Sequence, residues 1–101
     1  MGDYLFRIHK SYRWVVAVCD KNVFGRNLKE GPRILDASGD FFNGEEVDEE
    51  QLREVLIDCR KEDATFNIVG EKSVKLALDL GLISEEGVME IEGVPFALVL
   101  V

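Results

Sequence analysis

FNIVGEKSV, Phe66–Val74, is an apolar run that stops at Gly70 and resumes with helical spacing. Strand composition lies on one side of the glycine, and 3.6-residue periodicity through Val74, Ala77 and Leu78 lies on the other. A strand, a turn and a helix therefore follow one another, and the fold mixes the two element types. Phosphate sites are built from the same parts, because unpaired amides and the helix dipole favour an anion at a helix N-terminus. GEKS lacks the first glycine of a Walker loop and puts Glu71 before its lysine, and the dinucleotide pattern G-x-G-x-x-G is absent. Gly70 thus reads first as turn chemistry, needed for backbone conformation or close helix packing, with an anion contact at Asn67 and Gly70 as the lesser alternative.

Downstream, Gly81 stands where a left-handed cap ends the helix EKSVKLALDLG, and Leu82 follows to make the hydrophobic contact. VMEI and VPFALVLV flank Glu92 and Gly93, a two-residue turn that joins antiparallel strands. The continuous run ALVLV reads as strand buried on both faces. Upstream, Asp48 with Gln51 three residues on gives a capping box to the helix DEEQLREVLIDCRK, and Glu49 and Glu50 occupy the turn that the macrodipole favours. The acidic run is mostly a helix start, not a metal site. YLFRIH and RWVVAVC, separated by Lys10 and Ser11, form an N-terminal hairpin, and RILDA is a short third strand. DKNVFGRNLKEGPR, punctuated by Gly25, Gly31 and Pro32, reads as an irregular loop; Phe41 and Phe42 before Asn43 and Gly44 mark a further short element and turn. The expected architecture is one small α/β or α+β domain over residues 1–101, with a mixed sheet, N-terminal and C-terminal β-hairpins and two main helices.

Among the 101 residues, 47% are hydrophobic and 32% charged, which excludes a disordered or low-complexity chain. MGDYLFRIHK carries no apolar segment behind a basic one, and no apolar run approaches about 18 residues, so a cytoplasmic protein without membrane association is expected. The net charge of −8 conceals a polarity. Residues 1–35 hold seven Lys/Arg against three Asp/Glu, and residues 36–101 hold five against seventeen. Bulk acidity opposes nonspecific wrapping of duplex DNA, while a local basic surface survives in the N-terminal third. Cys19, Cys59 and the single His9 make a poor zinc cage, and both cysteines lie in apolar stripes as core thiols. Neither metal nor cofactor is expected.

Enzyme chemistry has little to stand on, since His9 is the only imidazole and the serines sit at turns and helix starts. A binding module fits better. With a two-residue turn at Lys10 and Ser11, Arg7, His9, Tyr12 and Trp14 share one hairpin face, and Phe6, Ile8, Val15 and Ala17 share the other. Aromatic rings among cations hold single-stranded nucleic acid, and Arg26 and Lys29 extend the basic surface. The blander reading makes this an ordinary solvated face with Trp14 half-buried. Two functions follow: a module associated with single-stranded RNA or ribonucleoprotein, and an interaction adaptor whose acidic surface meets a basic protein partner or which pairs as a homodimer through a sheet edge.

The order of GEEVDEE, FNIVGEKSV and GLISEEGVMEIEGVP from about Val16 onward resembles an archaeal family of uncharacterised proteins, domain of unknown function 424. Its most specific parts are Asn67 with Val69, Gly70 and Glu71, and Gly93 with Val94 and Pro95. Members often carry a histidine after that proline, where this chain has Phe96. The resemblance implies a cytoplasmic archaeal protein and assigns no activity.

Overall fold

Helix α1 (Glu49–Lys61) starts where its capping chemistry dictates. The Asp48 carboxylate accepts the Gln51 N–H at 2.8 Å while the Gln51 side chain accepts the Asp48 N–H at 3.0 Å. Leu52, Leu56 and Cys59 are its buried stripe, and each leucine contributes about 1.5–3 kcal/mol of apolar burial. Around it, in a computed structural model that describes residues 2–99, run β1 (Tyr4–His9), β2 (Val15–Asp20), β3 (Asn27–Glu30), β4 (Arg33–Asp36), β5 (Glu45–Val47), β6 (Thr65–Val69), α2 (Glu71–Asp79), β7 (Met89–Ile91) and β8 (Val94–Val99). Leu100 and Val101, the end of the ALVLV run, lie outside the described residues.

The main sheet has the order β5-β1-β2-β6-β8-β7, and its pairs are antiparallel except β2 with β6. Both helices cover one face, where Phe6, Val16, Val18, Phe66 and Ile68 meet Leu52, Leu56 and Leu76. On the opposite face the β3-β4 hairpin covers one end, packing Leu28 and Ala37 with Ala17, Cys19, Val69 and Ile91. Three layers result. The mixed sheet, the two terminal hairpins and the two helices are those expected from the sequence.

Local readings diverge at four places. First, His9 pairs with Val15 and Arg7 with Ala17, so the N-terminal hairpin closes through residues 10–14 and not through a two-residue turn. The Trp14 carbonyl accepts the Thr65 N–H at 2.9 Å, and its ring packs on the helix-side core; the parallel partner β6 therefore helps fix the register of β2. Second, β3 lies inside the segment expected to be irregular, because buried Leu28 anchors it and Gly31 with Pro32 turns it into β4. Third, the acidic stretch at Glu45 and Glu46 forms the edge strand β5. Fourth, Leu98 of β8 is 51% exposed, so that strand is not buried on both faces.

The C-terminal hairpin closes as expected. Glu92 (φ 50°) and Gly93 (φ 80°) form the turn between Ile91 and Val94, and positive φ at both central positions is the type I′ requirement. Helix α2 ends with Gly81 N–H donating to Leu78 O and Leu82 N–H to Ala77 O, a Schellman cap.

Candidate functional site

Gly70 sits beside a buried acid. Asp20, at the end of β2 and 3% exposed, accepts the Lys72 N–H at 2.9 Å, the Ser73 N–H at 2.8 Å and the Ser73 hydroxyl at 2.6 Å. The first turn of α2 is thus capped by a carboxylate from another strand. Gly70 has φ 113°, and a Cβ there would lie 2.3 Å from Asp20 Cγ. Both reasons for glycine hold at once, conformation and close approach. Its own N–H donates to Pro95 O at 2.8 Å, which joins the two stretches that carry the family resemblance. A cleft beside them, about 190 Å³, is lined by Arg26, Asn22, Glu71 and Lys72 among others. An anion there would face Glu71 and the Asp20 charge, with two of the helix amides already taken. Asn67 is elsewhere, in mid-β6, opposite Ala17 and Leu98 on the sheet face away from the helices.

The six residues read as a nucleic-acid surface do not form one face. Arg7 and His9 point away from the helices, and Trp14 packs on the helix-side core with Lys10 Nζ 4.7 Å over its ring. Arg7 Nη1 donates to Asp40 O at 2.6 Å and Asn43 O at 3.3 Å. His9 Nε2 lies 2.9 Å from Phe41 O, and the His9 and Phe41 rings stack at 4.6 Å with 9° between their planes. These two side chains tie the 40–43 segment to β1. Tyr12 stands fully exposed in the 10–14 loop, where the Ser11 hydroxyl donates to Arg13 O at 2.9 Å. Arg26 lines the cleft at the other end of β2. Lys29 is on β3, whose backbone is clamped to the β7-β8 turn: its N–H donates to Glu92 Oε2 at 2.6 Å, and Glu92 N–H donates to Glu30 Oε1 at 3.0 Å.

Sequence reasoning missed Asp20 and Phe41. A charged residue closing the apolar run VVAVC was the available signal for the first; no local pattern announces that Phe41 stacks on His9, 32 residues away. Cys19 and Cys59 are free and buried, as expected of core thiols. Burial, with the neighbouring Asp20 charge, pushes the Cys19 thiol up to about 12 and leaves it inert near neutrality. Among the described residues no group of three His, Cys, Asp or Glu side chains is placed to hold a metal ion, and no helix is long and apolar enough to cross a membrane.

The fold has a counterpart in an uncharacterised conserved protein from Methanopyrus kandleri, known from a crystal structure. The two superpose with a TM-score of 0.84 at 26% sequence identity, covering 95% of this chain and 89% of that one. No curated protein matches the sequence. A sequence model matches residues 8–101, nearly the whole chain, and on that match the chain belongs to the family described as protein of unknown function (DUF424).

Proposed function

We propose that this is a cytoplasmic, archaeal, non-enzymatic binding module that contacts single-stranded RNA, free or in a ribonucleoprotein, through the loop of residues 10–14. One observation carries the reading: the Tyr12 ring is fully in water in a loop that also holds Lys10 and Arg13. An exposed aromatic beside cations stacks an unpaired base while the cations meet phosphate, and each stacked base is worth about 1–3 kcal/mol. Few phosphate contacts are available and the rest of the chain is acidic, so binding is weak and falls steeply with salt. The test is fluorescence anisotropy of labelled single-stranded RNA at low ionic strength. Tyr12→Ala is expected to weaken binding by about 1–3 kcal/mol with an unchanged circular dichroism spectrum. Wild type that binds no RNA under these conditions sinks the proposal.

A second reading, self-association, rests on a different observation. Strand β7 covers β8 only as far as Phe96, and Leu98 beyond it is half-exposed in an uncharged run, whereas the opposite edge strand β5 carries Glu45 and Glu46. An edge without charge or proline is open to strand pairing. Light scattering of wild type against Leu98→Lys measures it: a homodimer that becomes monomeric supports pairing at β8, and a monomeric wild type excludes it.

A further inference from the structure

We infer that the sheet face opposite the helices reads unpaired nucleobases, with the Asn67 amide contacting the base edge and the Phe41 ring stacking, and that it prefers adenine. This deepens the RNA reading of the 10–14 loop and rests on it.

Asn67 is the first observation. It occupies the middle of β6, between Ala17 of β2 and Leu98 of β8. Asparagine is depleted in strands because it packs poorly on a pleated surface, yet here it is half-buried and its side chain has no hydrogen-bond partner among the described residues. Two donors and an acceptor therefore stand together on a rigid element.

Charge is the second observation. The chain has 20 Asp and Glu, but none is among the residues that β1, β2, β6 and β8 turn to this face, where Arg7 and His9 stand at one side; at the β5 edge Glu46 shares the face beside Leu5, and its carboxylate is paired with Lys21 at 2.9 Å. The acidic excess lies elsewhere, as on α1 with Glu49, Glu50, Glu54 and Asp58. A polyanion approaching the four central strands on this side meets no unpaired carboxylate of theirs.

Phe41 is the third. It is 38% exposed, stacked on His9 and held edge-on by Phe42 at 5.0 Å, so an apolar ring is fixed in place at the side of this face. From His9 to Asn67 is two strand spacings across and two residues along, a diagonal of about 12 Å. An extended single strand covers that distance in about two nucleotide steps, with one base on the ring and the next but one over the amide. A carboxamide pairs with the amino group and adjacent ring nitrogen of adenine in two parallel hydrogen bonds, and a purine gives Phe41 the larger stacking area.

The experiment uses the full chain and labelled oligo(A) and oligo(U) of equal length at low salt. Asn67→Thr puts a good strand former at the position, so thermal stability is expected to hold or rise, while oligo(A) affinity drops about tenfold and the preference over oligo(U) disappears. Phe41→Leu, which keeps an apolar cover on His9, is expected to weaken both oligonucleotides about equally. If wild type binds both alike, or if Asn67→Thr leaves oligo(A) binding unchanged while Tyr12→Ala weakens it, the sheet face is not the site and the loop reading stands. If wild type binds neither oligonucleotide, both readings fall together.

Discussion

Asp20 takes three hydrogen bonds at 3% exposure, so the energy of the α2 start is concentrated in one side chain. Asp20→Asn keeps the shape but presents amide hydrogens to backbone N–H donors, and it is expected to cost about 2–3 kcal/mol in denaturant unfolding. Gly70→Ala should cost more than about 1 kcal/mol, because both the φ of 113° and the 2.3 Å approach to Asp20 oppose a Cβ. The two causes separate in a double-mutant cycle. With Asp20→Gly the clash is gone and only the conformational part of the Gly70→Ala cost remains, so strictly additive costs would show that the contact is irrelevant. Cys19 contributes to the alkaline pH dependence, beside Tyr4 and Cys59, whose pKa values burial raises as well. Burial pushes the Cys19 thiol up to about 12 in the folded chain from the ordinary 9.0, so the unfolded chain loses the proton first. The stability that Cys19 contributes is fully present below about pH 9 and is lost as pH rises towards about 12, and Cys19→Ala should make the decline shallower in pH-dependent urea melts. Its sign cannot reverse while burial sets the shift.

At the scale of elements, what was legible in the sequence is what local chemistry dictates. The capping box of α1, the Gly81 cap of α2 and the Glu92-Gly93 turn each involve residues within a few positions of one another, and all three were read correctly. Elements held by distant partners were misread or missed. β2 takes its register with help from β6, 50 residues on, and so the 10–14 loop and the facing of Trp14 could not be read from Lys10 and Ser11. β3 is polar apart from its anchor Leu28, and the β7-β8 hairpin holds it as well: Glu92 accepts the Lys29 N–H, Glu30 accepts the Glu92 N–H, and Arg33 donates to Glu90 O. The same holds for the candidate site, where the sequence put Arg7 and His9 on one hairpin face, with Tyr12 and Trp14, but not Asn67 with them. Glu92→Ala tests the clamp. It removes one acceptor at the hairpin junction, so global stability should fall by only about 1 kcal/mol, while the Lys29 amide should exchange its hydrogen much faster than amides of β2 and β6. Unchanged Lys29 exchange would mean that Leu28 packing alone holds the hairpin down.

For the molecule as a whole, charge acts on stability and on binding in opposite directions. The five ion pairs found among the described residues are all solvent-exposed, with side chains 37–71% accessible, and pairs of that kind contribute little each. A net charge of −8 on a chain whose Cα radius of gyration is 12.5 Å is instead a standing self-repulsion. Screening weakens both, and the repulsion, being summed over many unpaired carboxylates, is expected to win. Raising the ionic strength from about 10 mM to about 150 mM shortens the Debye length from about 30 Å to about 8 Å. Repulsion across the whole molecule is screened over that range, so the thermal midpoint should rise by a few degrees. RNA affinity should fall over the same range, because each phosphate contact gives up its counterion advantage. A midpoint that falls with added salt would mean that the exposed pairs outweigh the acidic excess. Parallel melts and anisotropy titrations across one salt series read both signs at once. A loss of binding that accompanies a gain in stability is then electrostatic in origin and not a symptom of unfolding.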